Sequence, residues 1–353
     1  MDIERARNAF RTIDLGRADV LTGICASEAI FLHAKHPATF LVFSPRKPSV
    51  SLGRFQIFDR GFPSVLKSEK LGFLRRPRGG GLLLHTPPQI VFCSIIVGDE
   101  EEARRFVLNG LLMILEQFGL TGRLDGLTGI TVGGRRICEY TITSSANGFT
   151  EIFGVLLLNT DYSLMGRLTR TRTGLEHIEV RRIISLVTSI YHETAEVPNS
   201  KSVRDALISS VSLSGGIKPS KGRLDMAERR LLTGIWERLN SRRWIDDPFI
   251  AHPSLYEGSF KPRQAEFKCE AGFLNVALRS SENKIQDIGL SGSFMFYPEE
   301  KLRNLESNLA ECELSETELI ERVSSFYLKE NVRSPGISPM DVAYTILRAS
   351  VEI

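Results

Sequence analysis

Short strand patterns and amphipathic helix patterns alternate irregularly along this sequence, and their order limits the folds it can adopt. Runs typical of strands occupy Thr39 to Ser44, Ile90 to Val97 and Phe153 to Asp161, whereas Asp19 to Ala34 and Ala103 to Phe118 show the apolar spacing of helices. A doubly wound parallel sheet would need a regular alternation of strand and helix. The sequence therefore predicts an α+β fold with a mixed, largely antiparallel sheet.

Composition divides the chain into two domains. Residues 1–200 carry most of the strand and helix patterns and form the predicted larger domain. Residues 201–223 are rich in Ser, Gly, Lys and Pro around one apolar run, Val203 to Val211, which indicates a linker with a short helix. Residues 224–353 continue with a helix, two strands and three further helices, and predict a small α+β accessory domain.

Charge and cysteine content exclude several classes of protein. The net charge of +3 argues against a nucleic-acid partner, although the arginine pairs could contact phosphates locally. No stretch has the roughly 20 apolar residues of a membrane helix, and the charged N-terminus lacks a signal core, so we expect a cytoplasmic protein that does not enter a membrane. The five cysteines are far apart, and neither a disulfide framework nor a metal site is predicted.

The most informative stretch runs from Arg75 to His85 and reads Arg-Arg-Pro-Arg-Gly-Gly-Gly-Leu-Leu-Leu-His. Consecutive glycines permit positive φ and expose backbone N–H groups, which is how a loop surrounds a phosphate or carboxylate. Arginine beside them offers a planar fork for the same anions. The alternative is a solvated loop in which the glycines only turn the chain, and spacing alone does not choose between the two.

Several segments in one order give the chain a resemblance to the lipoate-protein ligase family. The stretch above is similar to that family's Arg-Arg, Gly-Gly-Gly and His signature. Further matching segments are Cys25–Phe31 (first helix with its glutamate), Pro48–Gln56 (Gly-Arg-x-Gln strand end), Gly133–Ile137 (Gly-Arg-Lys-Ile), Gly154–Asp161 (Gly-Thr-Leu-Leu-Leu-Asn-x-Asp) and Leu290–Phe296 (accessory-domain turn). The resemblance implies a biotin/lipoate-ligase catalytic domain, akin to class II synthetases, followed by the family's accessory domain.

The resemblance also implies an activity in protein lipoylation. Such ligases use ATP and Mg²⁺ to join lipoate or octanoate, through an acyl-adenylate, to a lysine of a lipoyl-domain carrier such as glycine cleavage H protein or a 2-oxoacid dehydrogenase E2. Arg75 and Arg76 would flank the acyl carboxyl, the glycines would approach the adenylate and His85 would close the loop. The residues implied for substrate and ATP binding are Arg54, Arg75, Arg76, Arg78, Gly79, Gly80, Gly81 and His85.

The sequence departs from the family where the chemistry is most demanding. The family's central lysine, which bridges acyl carbonyl and phosphate, falls at Arg136, the implied catalytic residue. Its guanidinium is longer and stays protonated, so we expect a large loss of adenylation. The family's Gly-Arg-Asn-Asp segment appears as Gly126 to Gly129, and Asp125 is a candidate replacement for the missing acidic partner.

These departures leave alternatives to an active ligase. One is a catalytically impaired family member that serves as an acyl-binding, carrier-binding or scaffold subunit. Another is an acyltransferase in which Cys138 carries the acyl chain as a thioester. The competing interpretation is that Cys138 is a buried, inert thiol of a strand. Two further residues each have two possible interpretations. Glu28 is either a site carboxylate or a solvated one, and His85 is either a loop anchor or a core histidine.

Overall fold

The structure divides the chain into two units. The computed structural model describes residues 10–58, 62–145, 147–169, 180–256, 261–269 and 272–351. Unit 1 comprises Met1–Ser51, Phe58–Leu74 and Leu83–Asn240. Unit 2 comprises Leu52–Ile57, Arg75–Leu82 and Ser241–Ile353, so two short stretches of the N-terminal half belong to the C-terminal unit.

Unit 1 is a mixture of strands and helices. Its strands are β1 (Phe10–Ala18), β2 (Ala38–Pro45), β3 (Ser49–Leu52), β4 (Gly72–Arg75), β5 (Leu83–His85), β6 (Ile90–Val97), β7 (Gly122–Asp125), β8 (Gly129–Val132), β9 (Arg135–Ser144), β10 (Phe149–Leu156) and β11 (Pro219–Lys221). Its helices are α1 (Val20–His33), α2 (Phe62–Ser68), α3 (Glu100–Gln117), α4 (Tyr162–Thr169), α5 (Val180–Leu186), α6 (Ile190–Thr194), α7 (Ser200–Gly215) and α8 (Met226–Leu239). The last residues of β3 and β4 are the first residues of the two stretches assigned to unit 2.

An eight-stranded sheet organises unit 1. Its strand order is β11-β1-β2-β6-β10-β9-β8-β7, in which β1 runs parallel to β11 and β2 and the other five neighbouring pairs are antiparallel. A separate three-stranded sheet has the order β4-β3-β5. The predicted α+β class with a largely antiparallel sheet is therefore confirmed.

Helices α3 and α7 cover one face of the large sheet. Apolar side chains at helical spacing, such as Val107 and Leu111 of α3 and Leu207 of α7, pack into one core with Phe40 and Phe92 of the sheet. The helices approach so closely that a Cβ on Gly110 would lie 2.6 Å from Cα of Val211. The apolar residues that predicted helix α3 by their spacing are therefore the ones that the structure buries.

The predicted linker over residues 201–223 differs from the structure. Its apolar run, Val203 to Val211, lies in α7 and is buried against α3, and β11 pairs with β1 in the large sheet. Helix α8 also belongs to unit 1, so the accessory domain predicted from residue 224 begins at Ser241 in the structure. The serine-rich composition misled the prediction because its polar residues share helices with a buried apolar stripe.

Strand β1 was not predicted, because charged residues interrupt its apolar pattern. Arg11 is nevertheless buried, and its guanidinium donates to both carboxylate oxygens of Glu228 in α8, at 2.9 Å and at 2.5 Å. A buried charge pair of this kind is tolerated because each partner satisfies the other. The sequence pattern alone could not show that pairing. Strand β10 also differs from its predicted range, beginning at Phe149 and ending at Leu156.

Unit 2 joins a three-stranded antiparallel sheet to a group of helices. Its elements are α9 (Arg242–Ile245), α10 (Asp247–Ala251), α11 (Pro253–Tyr256), β12 (Arg263–Cys269), β13 (Gly272–Ser281), β14 (Lys284–Gly292), α12 (Lys301–Leu309), α13 (Glu316–Lys329) and α14 (Pro339–Val351). Sheet and helices share a core that includes Phe55 from the first inserted stretch, whose ring stacks on Phe294 at 5.1 Å between centroids. The strand pair and three following helices predicted from the sequence are confirmed.

A buried arginine fastens the inserted stretches of unit 2. Arg75 is fully buried, and its guanidinium donates to the backbone carbonyls of Gly53, Arg54, Gln56 and Ile245 at 2.7 to 3.1 Å. Burial lowers the pKa of this guanidinium to about 9, and nearby Arg54 adds to the effect, so it remains charged at neutral pH. One side chain thus holds residues 52–57 to helix α9.

None of the described helices combines the length and apolar character needed to cross a membrane.

The contact between α3 and α7 gives a first prediction. Gly110→Ala should destabilise the protein by about 1–3 kcal/mol, because the added methyl group has no space beside Val211. Gly234→Ala in the exposed middle of α8 is the matched control, since nothing lies within 4 Å of its Cβ position, and it should stabilise by about 0.5–1 kcal/mol. Urea denaturation measures both. Equal effects of the two variants would contradict this packing.

Arg75 gives a second prediction. Arg75→Lys should destabilise unit 2 by about 2–4 kcal/mol, because one ammonium group cannot reach all four carbonyls and leaves some unsatisfied. Hydrogen exchange of unit 2 amides, read by mass spectrometry in urea, measures this. Arg242→Lys is the control, since Arg242 is 74% exposed and only pairs with Asp246 on its own helical turn. The proposed anchor would be refuted if both variants left the exchange unchanged.

Candidate functional site

The triple-glycine loop is packed tightly against other backbone of unit 2. A Cβ on Gly79 would lie 2.2 Å from the carbonyl oxygen of Phe294, and one on Gly53 would lie 1.9 Å from that of Gly80. Gly80 has a φ of +91°, and its N–H donates to the Phe294 carbonyl at 3.0 Å. Close packing therefore requires glycine at these positions, and the Gly80 N–H is committed within the protein.

Arg76 closes the same loop from inside. The side chain is buried, and Nη2 donates to the carbonyls of Gly79 at 3.3 Å and Gly81 at 2.6 Å. Its backbone N–H donates to the Leu52 carbonyl. Arg76 therefore determines the curvature of the glycine loop through its backbone carbonyls.

Arg54 and Arg78 stand beside the loop and face carboxylates. Arg54 lies 4.0 Å above the Trp244 ring, and its Nη1 is 2.9 Å from Asp247 Oδ2. Burial would raise the pKa of Asp247, but the positive charges of Arg54 and Arg303 outweigh it and hold that pKa below its ordinary value. Arg78 is buried with Nε 3.5 Å from Glu299. Both cations are thus offset by acidic groups of unit 2.

His85 of unit 1 anchors a strand pair. It is fully buried on β5, and its Nε2 lies 2.7 Å from Ser51 Oγ on the neighbouring strand β3. The register pairs His85 with Ser49. These contacts agree with the interpretation of His85 as a structural anchor that follows the glycine loop.

Arg136 lies in unit 1 near the start of β9 and forms an ion pair. Its Nη2 is 2.5 Å from Asp125 Oδ2 at the end of β7, and its Nη1 donates to Thr128 Oγ1 at 3.2 Å. The guanidinium lies over Gly129, where a Cβ would be only 2.5 Å from Cζ. The sequence suggested Asp125 as a partner from proximity alone, and the hairpin brings the two residues together.

Cys138 is unsuited to nucleophilic chemistry. Its side chain is fully buried in the core of unit 1 with Ile130 and Leu156. Burial raises the pKa of the thiol, and the neighbouring Glu139 raises it further, against a smaller opposite effect of Arg136. A thiolate, which is the nucleophilic form, is therefore disfavoured here. The interpretation of Cys138 as an inert strand thiol fits this environment.

Two glutamates of unit 1 are buried, which the sequence did not predict. Glu28 is only 3% exposed on α1 and bonds to Arg238 of α8 at 3.0 Å, so its interpretation as a solvated group is wrong. Glu151 on β10 is equally buried and accepts a hydrogen bond from Cys93 Sγ of β6 at 3.3 Å. A glutamate within an apolar strand pattern was the only available sequence signal for Glu151.

Relatives with assigned names support one family. The chain is 23% identical over 252 residues to octanoyltransferase LipM of Symbiobacterium thermophilum, a match that covers 63% of this chain and 92% of the relative. It is 32% identical over 75 residues to lipoate-protein ligase A subunit 2 of Thermoplasma acidophilum, covering 21% of this chain and 77% of that protein. Named relatives thus include both a transferase and a ligase subunit.

Solved structures share the fold. A P. falciparum LipL1 structure in complex with lipoate matches with a TM-score of 0.71 and 13% identity over 97% of this chain and 99% of that chain. Lipoate-protein ligase A bound with ATP matches with a TM-score of 0.56 and 18% identity over 67% and 98% of the two chains. A Thermoplasma acidophilum bipartite lipoate protein ligase, studied with its E2 lipoyl domain, gives 0.57 and 17% over 68% and 96%.

A family model connects these observations to the sequence. The model of the lipoyl protein ligase A/B catalytic domain matches residues 22–212, more than half of the chain. That range contains the triple-glycine loop and Arg136. The lipoate-ligase fold and the resemblance seen in the sequence are both confirmed. The chain therefore belongs to the lipoyl protein ligase A/B catalytic domain family.

Proposed function

We propose that this protein is an ATP-dependent ligase that attaches lipoate or octanoate, through an acyl-adenylate, to a lysine of a lipoyl-domain carrier protein. The family contains both ligases and octanoyltransferases, so the reaction type must be argued from this chain. The observation that carries the proposal is the burial of Cys138, because it disfavours a thioester at the cysteine nearest to Arg136 in the sequence, which was the candidate nucleophile of a transferase. Structures named for ATP, for lipoate and for an E2 lipoyl domain support the substrates and the carrier.

Arg136 would take the place of the family's lysine. Joining two anions, a carboxylate and the α-phosphate of ATP, requires a fixed positive charge where negative charge develops. Arg136 supplies that charge, but Asp125 at 2.5 Å offsets it, and an incoming anion must compete with this carboxylate. We therefore expect slow adenylation.

Mg²⁺ bound with ATP would stabilise the departing pyrophosphate. Asp125 does not fit as its ligand in this arrangement, because the carboxylate already accepts from Arg136. The Gly80 N–H does not fit as a phosphate donor either, because it donates to Phe294. In unit 2 Arg76 bonds to the carbonyls of the glycine loop. This favours a role for Arg76 in positioning the loop, and not every arginine then contacts the substrate directly. The predicted contact of Arg75 and Arg76 with the acyl carboxyl stays a prediction.

A second candidate function is acyl or carrier binding without turnover. The observation in its favour is that the candidate arginines bond to carboxylates and carbonyls of the chain itself, which occupies positive charge that adenylation would need. These arginines are Arg54, Arg75, Arg76, Arg78 and Arg136. Such a protein should bind lipoate or a lipoyl domain and release no pyrophosphate. The following experiment separates the two functions.

Restoring the lysine is the direct test. Arg136→Lys should raise the rate of pyrophosphate release with ATP, Mg²⁺ and octanoate by about tenfold or more, because a shorter point charge leaves Asp125 less tightly paired; tenfold corresponds to about 1.4 kcal/mol. Mass spectrometry of a lipoyl domain reports the completed transfer.

The matched control is Arg135→Lys, the same substitution one residue earlier, at a side chain paired with Glu193. It should leave the rate near that of the unchanged protein. Turnover by the unchanged protein, with no gain from Arg136→Lys, would show that arginine suffices. No turnover by either protein would reject the ligase in favour of the binding function.

Cys138 distinguishes a ligase from a thioester transferase. Cys138→Ala should retain turnover within about twofold. It should also carry the same amount of acyl-protein adduct as the unchanged protein, because no thioester forms at a buried thiol. Intact mass measured before and after hydroxylamine detects such an adduct. Cys312→Ala, at the buried cysteine of unit 2, controls for loss of core volume. Loss of turnover in Cys138→Ala alone would indicate a transferase.

A further inference from the structure

Two histidines and a carboxylate of unit 1 meet outside the residues discussed above. His33 is the last residue of α1, His36 follows it by three positions, and Asp225 is the N-cap residue of α8. The His33 and His36 Nε2 atoms lie 3.5 Å and 3.6 Å from the same Asp225 oxygen, Oδ2. We call these three residues the histidine–aspartate cluster.

The two distances have a specific chemical meaning. They exceed the 2.7–3.2 Å of a normal hydrogen bond to nitrogen. They match the separation of about 3.4 Å between two ligand atoms of a tetrahedral zinc ion, which follows from bonds of roughly 2.0–2.2 Å. Among the described residues neither Nε2 has a hydrogen-bond partner, although both atoms are shielded from solvent.

Asp225 is positioned so that one oxygen remains directed at the imidazoles. Its Oδ1 accepts the N–H of Glu228 at 2.9 Å and caps α8. Oδ2 therefore faces the histidines without a role in the cap. The turn between the histidines helps, because Ala34 adopts a left-handed φ of 41° directly after His33.

Glu228 and Arg11 lie next to the cluster and form a neutral pair. The ligand atoms of His36, Asp225 and Glu228 all lie within 4.8 Å of one another, a group of described residues to which His33 does not belong. Glu228 is nevertheless committed, because its carboxylate accepts from the Arg11 guanidinium and from the Asp225 N–H. It offsets the charge of Arg11, which would otherwise repel a cation.

We propose that His33, His36 and Asp225 form a binding site for a divalent transition-metal ion of the zinc type, with water in the remaining position. Two imidazoles and one carboxylate are ligands that zinc accepts readily. The three side chains are 26%, 36% and 30% exposed, so an ion can reach them. Each histidine lies near Asp225 in the structure, and the His33 imidazole must rotate toward His36 to complete the site. A bound ion would join the end of α1 to the start of α8.

Metal binding to untagged full-length protein tests the proposal. Titration calorimetry with Zn²⁺ should show one equivalent bound, and Co²⁺ should give the intense visible absorption of a tetrahedral complex. His33→Ala and His36→Ala should each weaken Zn²⁺ binding at least tenfold and remove that absorption. Zn²⁺ should raise the Tm of the unchanged protein and not that of the variants.

A pair of cap variants separates ligation from folding. Asp225→Asn keeps an N-cap residue, since asparagine caps helices as well as aspartate does, but removes the carboxylate ligand. It should lose Zn²⁺ affinity at least tenfold while the Tm without metal stays close to that of the unchanged protein. Asp99→Asn makes the same change at the N-cap of α3, where Asp99 accepts the Glu102 N–H, and should bind Zn²⁺ normally.

Two results would overturn the site. One is Zn²⁺ affinity in the unchanged protein no greater than in the His33→Ala/His36→Ala double variant. The other is an equal loss of affinity in Asp99→Asn and Asp225→Asn. Neither result depends on the ligase activity, so the metal site and the proposed function can fail independently.

Discussion

A buried guanidinium that donates to backbone carbonyls holds the inserted stretches of unit 2 in place. Arg75 connects residues 52–57 with helix α9, and Trp244 of that helix donates back to the Arg75 carbonyl at 3.0 Å. Burying a charge is costly unless hydrogen bonds replace its hydration, and here carbonyl oxygens replace it. The glycine loop, which begins four residues after Arg75, takes its path from this arrangement because the Arg54 N–H donates to the Arg78 carbonyl.

The same arrangement changes how the arginines of the family signature should be understood. Their number suggests a strongly positive surface for anions, yet in the structure they bond to carbonyls and carboxylates of their own chain. Such a network fixes geometry because its hydrogen bonds join the guanidinium groups to acceptors at defined positions. It also reduces the free positive charge, so any anionic substrate gains less from contact with Arg54 or Arg136 than the bare sequence suggests.

Periodicity was sufficient to predict much of the fold. Apolar spacing located α1, α3 and the central strand β6, since this signal is local. Strand β1 was missed because its Arg11 finds its partner, Glu228, far along the chain. Helix α7 was predicted only as a short helix within a linker.

For the candidate site, the sequence suggests members but gives no geometry. The resemblance identified the glycine loop and Arg136, and proximity identified Asp125. The sequence could not show that Arg75 bonds to Ile245, nor that His36 meets Asp225, because these contacts join residues that only the folded chain brings together. Side-chain contacts over such separations leave no periodic signal.

Gly129 leaves the space that the Arg136 guanidinium occupies. A Cβ at residue 129 would lie 2.5 Å from Arg136 Cζ, so any larger residue there requires the arginine side chain to move from its present place. Positions 129 and 136 are therefore coupled, and a substitution at one changes the room available at the other.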